Sequence, residues 1–467
     1  ISATLGLGSV WRASQFLGDR CDLNAEIWEG EDLGCVDTWI RSMGARIHRR
    51  PLSDEQVAFY RTIYDRADEE TVEMEEWERV DLGFRHVLIT MLSSPWATYH
   101  VEVGDGDGEL DAYELANRLS YHFWQSSPDD ALYAAAADGS LLTDEGYRAQ
   151  VERVAADPKT ARSLEEFFAD WLRVEEIPRM DARLGTPIFD AFAEDTLPSA
   201  TLHEAMGEEL VALGVHHVLE SPGSFDTFFQ SDRMVTHDGE LAALYGGAPW
   251  NGAGEPGAVD GSRAGLLTRA GMVATGSANT RPIMKGVFVR EGLLCEPLGT
   301  PPDNANASPP ELSETQTTRQ VVEALTEQPG SSCAACHADL INPLGFATEG
   351  FDGLGRPRTE QTLYAEWGEP LTSLPIDSAD TSILAGQRIA FSDATDLTDE
   401  ILASGAAHRC FAREFFRFTY HRAESSDADD CSIQTLGDAL VEGQSLDVFL
   451  QRVALQPQFR TLAPPAQ

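Results

Sequence analysis

Cys333-Ala334-Ala335-Cys336-His337 sets two thiols and an imidazole within five consecutive residues. Two thiols at this spacing lie on one side of a helical turn, placed to form thioethers to the two vinyl groups of a haem. The histidine that follows is then held beneath the iron as its proximal ligand, so the pattern is that of c-type haem attachment. A structural zinc site would want a second Cys/His pair at similar spacing, and no other C-x-x-C and no H-x-x-x-H occurs in the chain. One covalent haem c is therefore the expected cofactor.

His337 needs its second ring nitrogen oriented, usually by donation to a backbone carbonyl. The carbonyl of Asn342 or Pro343 is expected to serve, because Pro343 rigidifies a turn just beyond the motif. Leu340, Ile341, Leu344 and Phe346 are the expected apolar packing for the haem. Arg356 and Arg358 are expected to pair with its propionates, since guanidinium groups suit carboxylates; ordinary surface charge is the competing reading. The other face of the iron is open to several readings. Small class I cytochromes c take a methionine downstream of the motif, and here no methionine follows Met284. Met284, in Arg281-Pro282-Ile283-Met284-Lys285-Gly286, is the first candidate, because Pro282 and Gly286 would fix a turn that presents it. Met272, His408, His421 or an open position are the alternatives. A second Met or His ligand saturates the iron and favours electron transfer, whereas an open position admits peroxide, O₂ or small ligands.

The elements that must position these groups read as helices. The chain of 467 residues is 42% hydrophobic, enough for two to four domains with ample cores. A capping box at Ser53-Asp54-Glu55-Gln56 opens a helix to about Ala67, and another spans roughly Leu82–Leu92. Gly104-Asp105-Gly106-Asp107-Gly108 resembles the start of a calcium loop. Counting from Asp105, however, the required glycine and acidic positions fall on Leu110 and Ala116. Asp111-x-x-Glu114 is read instead as the cap of a helix over Ala112–Trp124. Amphipathic periodicity continues over Asp129–Ala137, Thr143–Ala156, Thr160–Val174 and Pro198–Leu219. His216-His217 near the last of these is read as a surface or interface pair, since adjacent helical residues point apart. Gly246–Gly265 is Gly/Pro/Ala-rich and reads as a connector. Arg269–Ser277, Pro282–Leu294 and Thr318–Glu327 lead to the haem motif. Tyr364–Ile389 is mixed, with a small hairpin, and helices over Asp396–Ser404, His408–His421 and Leu446–Ala454 close the chain. Ile1–Leu17 reads as helical, and Cys21–Cys35 as an acidic loop. The expected architecture is mainly α. It comprises an unassigned segment 1–36, a multi-helix region 37–245, a linker 246–264, and a C-terminal haem domain with long loops over 265–467.

Charge narrows the partners. Asp and Glu number 77 against 34 Lys and Arg, a formal net charge of −43, and only Lys159 and Lys285 are lysines. Such a surface repels nucleic acid and anionic headgroups and favours partners with a basic docking surface. No run of about 18 apolar residues occurs, so no membrane-spanning helix is expected. The chain begins at Ile1 without a signal segment and is read as a mature product. Haem attachment outside the cytoplasm fits the other cysteines: Cys21 with Cys35 and Cys410 with Cys431 could close two loops, leaving Cys295 unpaired, although free thiols are an alternative for any of them.

The chain resembles the large secreted cytochrome-type proteins of planctomycetes and myxobacteria that are assembled from tandem domains of unknown function. The resemblance rests on Ile47–Glu55, on Leu115–Tyr121 with Trp124 and Pro128-Asp129, and on Arg263–Thr268 with Thr280–Gly286. It rests further on Cys333–His337 with Asn342–Ala347 and Phe351–Arg356. It spans roughly 40–460, with Asn342 where the family usually has Asp. It implies a periplasmic or extracellular monohaem cytochrome that passes single electrons as a subunit of a larger redox assembly. A haem-dependent oxidoreductase with an open iron or a substrate site in the N-terminal helices, and a secreted structural component stabilised by haem, are the other readings.

Overall fold

Helix starts follow the capping chemistry legible in the sequence. Ser53 and Gln56 exchange hydrogen bonds, Gln56 N to Ser53 Oγ at 3.2 Å and Ser53 N to Gln56 Oε1 at 3.0 Å. Asp111 and Glu114 form the same reciprocal box at the start of Ala112–Trp124. In this computed structural model the described residues are all except 1–9, 30–33, 71–74, 105, 107, 195, 301–310, 426 and 463–467. The protein is mainly α, with short antiparallel ribbons confined to its later part. It divides into two compact units, Ile1–Asp157 with Ala454–Pro465, and Pro158–Val453.

The first unit carries α1 (Val10–Leu17), α2 (Leu23–Glu29), α3 (Cys35–His48), α4 (Asp54–Glu70), α5 (Glu76–Leu92), α6 (Ala112–Trp124), α7 (Asp130–Ala137) and α8 (Asp144–Ala155). Ala13, Leu17, Trp39, Ile40, Phe84 and Val87 close one core among α1, α3 and α5. The helix expected over Ile1–Leu17 is present from Val10; its earlier residues lie outside the described ones. The stretch Cys21–Cys35, expected as a loop, contains α2. The reason is local: Glu26 on α2 accepts from the backbone N–H groups of Cys35 and Val36, capping α3 with a side chain from the preceding helix. The Cys21–Cys35 disulfide closes the same corner. Asp105 and Asp107 of the glycine-rich stretch lie outside the described residues. Its neighbour Glu114 receives Val103 N at 2.8 Å and Gly104 N at 3.0 Å, so this carboxylate ties the loop to α6.

The second unit carries α9 (Thr160–Trp171), α10 (Leu202–Val215), α11 (Ala270–Val273), α12 (Pro282–Phe288), α13 (Thr318–Thr326), α14 (Asn342–Phe346), α15 (Ala394–Ser404), α16 (Ala406–Tyr420), α17 (Asp427–Val441) and α18 (Leu446–Ala454). Aromatic side chains join α9 to α16: Phe167 lies 4.7 Å from Phe415 and Trp171 lies 5.1 Å from Phe411, ring centre to ring centre. Buried aromatics of this kind each contribute about 2–3 kcal/mol through area alone. The two compact units divide between Asp157 and Pro158, apart from the linker expected at 246–264. Residues 246–264 lie inside the second unit, where β2 (Gly257–Ala258) pairs antiparallel with β1 (Arg233–Met234). Two hairpins occupy the mixed region rather than one. They are β3 (Glu360–Tyr364) with β4 (Pro370–Pro375), and β5 (Asp380–Leu384) with β6 (Gln387–Phe391).

Two further expectations are corrected. His216 and His217 are buried, not surface groups; a π-type turn at His216–Glu220 points them inward to Glu220 Oε2 (2.8 Å) and Ser231 Oγ (2.8 Å). The second disulfide joins Cys410 to Cys295, not to Cys431. Cys410 sits on the buried face of α16, where Gly292 and Cys295 pack, whereas Cys431 on α17 is exposed and unpaired. Among the described residues, no helix is long and apolar enough to cross a membrane.

Candidate haem attachment site

The motif closes on itself as one helical turn. Cys333 O accepts from Cys336 N (3.2 Å) and His337 N (3.0 Å), and Ser331 Oγ accepts from Ala334 N (3.1 Å). Cys333 and Cys336 are both half-buried thiols and neither is bridged, although four other cysteines of the chain are paired.

His337 then opens a π-type turn, His337–Ile341, that runs into α14. A π turn brings residues five apart into register, where an α turn would bring residues four apart. The residue five on is Asn342, and His337 Nδ1 lies 2.9 Å from its Oδ1. The orienting group is thus the side chain of Asn342 and not the expected backbone carbonyl of Asn342 or Pro343. The direction of this hydrogen bond follows from the far side of the amide. Asn342 Nδ2 donates to Thr326 Oγ1 at 2.9 Å and to Glu327 Oε1 at 2.7 Å. Thr326 already donates its own hydrogen to Val322 O at 2.7 Å, so toward Asn342 it can only accept. With Nδ2 fixed there, Oδ1 faces His337 and holds the proton on Nδ1. The lone pair is left on Nε2, the nitrogen suited to a metal. Asn342 is fully buried, and burial pushes the Glu327 carboxyl above its ordinary pKa.

Distant segments clamp this stretch. Arg290, only 2% exposed, donates to Leu340 O from Nε (3.1 Å) and Nη2 (2.9 Å) and also reaches Ser382 Oγ (3.0 Å). Ser382 in turn donates to Asp339 O at 2.8 Å. On the other side, α12 lies directly on α14. A Cβ at Gly286 would fall 1.9 Å from Ile341 O, and one at Gly345 would fall 1.9 Å from Pro282 O. Only glycine permits such a backbone approach. Pro343, Leu344 and Phe346 are buried in the chain's own core, with Arg319 stacked over the Phe346 ring. Thr326, Glu327 and Arg290 carry no sequence expectation, and for Asn342 the expectation was its carbonyl rather than its side chain. An arginine inside the apolar run Val287–Leu294 was the one available signal.

The remaining candidates separate. Met284 on α12 is 65% exposed, while its neighbour Lys285 is buried with no hydrogen-bond partner for Nζ among the described residues. Burial pushes the Lys285 amine down to about 8. This inverts the polarity expected of a helix that merely packs. Met272 is half-buried on α11. His408 is buried, its Nε2 held by Asp226 Oδ1 at 2.6 Å and its ring against Phe225. His421 is exposed at the end of α16 in a left-handed conformation. Arg356 is committed to Asp352 (2.7 Å), Phe192 O (2.9 Å) and Thr196 Oγ1 (3.0 Å). Arg358 pairs with the buried Glu349 at 2.9 Å. Both arginines brace the Phe351–Arg356 turn and its surroundings. That turn is packed on α11 by Arg263, which reaches Thr268 O and Gly355 O, and by Thr275 N and Gly276 N donating to Gly353 O.

Three family models match the chain in tandem. Residues 35–102 match PSD5, protein of unknown function (DUF1595); residues 110–246 match PSD4, protein of unknown function (DUF1592); residues 263–361 match PSCyt3, protein of unknown function (DUF1588). The three matches are to tandem domains of unknown function of the planctomycete cytochrome c type. The third match spans the Cys333–His337 turn, Met284 and Arg290. No curated protein and no solved structure matches the chain.

Proposed function

We propose that the chain is an extracytoplasmic monohaem c-type cytochrome that transfers single electrons as a subunit of a larger redox assembly. The observation that carries this reading is the pairing of two unbridged thiols on one turn with a histidine whose Nε2 is left free by the Asn342 hydrogen bond. The donor set fits the group. Each thiol can add across one vinyl double bond, sulfur to one carbon and hydrogen to the other, with no oxidant required. When bound, the haem supplies a one-electron Fe(III)/Fe(II) couple.

The chain's own residues do the rest. Cys333 and Cys336 tether, and His337 presents Nε2. Asn342, locked by Thr326 and Glu327, keeps the imidazole in one tautomer. Arg290 and the glycine contacts at 286 and 345 fix the segment so that the iron's surroundings need not rearrange between oxidation states. Met284 is the proposed sixth ligand, supported by its exposure on the helix seated against α14. The two disulfides and the attachment chemistry support an oxidising compartment. Expression with a c-type haem maturation system tests the reading. The expected product keeps its haem on a denaturing gel, loses it in Cys333→Ala/Cys336→Ala, and shows a six-coordinate ferrous spectrum insensitive to CO. A chain that matures without covalent haem overturns the proposal, and a CO-binding ferrous form overturns its electron-carrier part.

A further inference from the structure

An open groove of about 760 Å³ runs along the outer face of α10 in the second unit, well apart in sequence from the haem motif. Its lining combines two chemistries. Val174, Ile177, Val211 and Val215 form an apolar floor, supplied by α10 positions that recur at helical spacing and by the turn after α9. Glu165, Glu175, Glu204, Glu208 and Glu220 also line it. Glu220 faces His216; for the other four, no ion pair is formed among the described residues. Trp250 and His237, both in the lining, stack with ring centres 5.6 Å apart and planes 10° apart, adding an aromatic pair to the groove.

Carboxylates gathered around exposed aliphatic surface repel one another and leave apolar area in water, an arrangement that an occupant of opposite charge relieves. We propose that this groove docks a cationic segment of a partner protein, in which lysine or arginine side chains meet the glutamates, their intervening aliphatic groups lie on the valine floor, and one cation sits over Trp250. Charge decides between occupants. A second copy of this chain brings a net charge of −43 to the same site and is repelled. A small organic cation would contact Trp250 and leave the valine floor bare. A basic, amphipathic segment satisfies floor, rim and ring together.

The test uses the full chain and a short fluorescein-labelled peptide of alternating lysine and leucine, followed by fluorescence anisotropy at physiological ionic strength. Neutralising the rim with Glu204→Gln/Glu208→Gln is expected to weaken binding by about tenfold, and Trp250→Ala by about fivefold. Neutralising two exposed glutamates on the β3–β4 turn, Glu366→Gln/Glu369→Gln, is expected to change it less than about twofold. Equal losses from both double variants would show that the peptide senses only overall charge, and would sink the proposal. So would tetramethylammonium displacing the peptide from the groove at comparable concentration, or sedimentation showing a dimer that the Glu204/Glu208 pair controls.

Discussion

Replacing Asn342 by Asp removes a donor where the structure needs one. Asn342 Nδ2 donates to Glu327 Oε1 at 2.7 Å and to Thr326 Oγ1 at 2.9 Å, and both acceptors are fixed. An ionised aspartate at position 342 would set a second carboxylate against Glu327 at that distance, a repulsion of about 6 kcal/mol at an effective dielectric constant of 20. Sharing one proton between the pair is cheaper: it costs about 1.4 kcal/mol for each pH unit above an ordinary carboxylate pKa near 4. At neutral pH that is about 4 kcal/mol, and at about pH 5 it falls to about 1.4 kcal/mol. The shared proton restores a hydrogen bond to Glu327, while the lost donation to Thr326 adds about 1 kcal/mol at any pH. The folded-state pKa of the pair is raised, so the native form holds a proton that the unfolded chain releases. Stability is therefore kept at low pH and lost as pH rises from about 4 toward the raised value. Asn342→Leu, by contrast, leaves Glu327 and Thr326 without their donor and is expected to cost about 2–3 kcal/mol with little pH dependence. Native-state hydrogen exchange of the α13 and α14 amides reads the local opening energy of this region without assuming that the whole chain melts as one. An Asn342→Asp deficit that stays flat between about pH 5 and pH 7, or that is below about 1 kcal/mol at neutral pH, refutes the amide orientation argued from Thr326.

The other predictions address separate links. Cys295→Ser/Cys410→Ser removes a cross-link over a sequence separation of 115 and should cost about 4–5 kcal/mol, while Cys431→Ser changes nothing. A non-reducing peptide map that joins Cys410 to Cys431 would contradict the pairing. Met284→Leu should shift stability by less than about 0.5 kcal/mol, because the side chain is largely exposed, yet convert the haem spectrum from six-coordinate to CO-binding. An unchanged spectrum removes Met284 as ligand. Gly286→Ala should cost about 3 kcal/mol, since its Cβ would meet Ile341 O. Gly299→Ala, where a Cβ meets nothing within 4 Å among the described residues, should be neutral by thermal melting. Burial lowers His48 in the first unit and His217 in the second to about 4, so both are neutral in the native state. Their contribution is intact above the ordinary pKa near 6.5 and is lost as pH falls from there to about 4, which acid titration of the melting transitions should show and His217→Gln should diminish.

What the sequence disclosed divides by the range of the interaction that decides it. The capping boxes at Ser53 and Asp111 and the thiol pair at Cys333 and Cys336 were legible because each is settled within three residues. The disulfide partner of Cys410 was not, because Cys295 and Cys431 are equally plausible until α16 turns its buried face toward Gly292. The orienting group of His337 failed for a subtler reason. The expectation was a backbone carbonyl at 342 or 343, and the choice of the Asn342 side chain depends on a one-residue widening of the helix that leaves no mark in composition or periodicity. For Arg356 and Arg358 the sequence shows the charge but not the local partners, Asp352 and Glu349, that the fold supplies. The pair Met284 and Lys285 points the other way. Periodicity would bury the methionine and expose the lysine, and the structure does the reverse. A fold rarely tolerates a buried amine without a hydrogen-bond partner, or leaves a large apolar side chain in water, for packing alone. Here both occur on one turn of the helix that the Gly286 and Gly345 contacts seat against the segment following Cys333–His337. The local conflict thus falls on the residue proposed as sixth ligand, and functional sites are where local sequence rules are expected to fail.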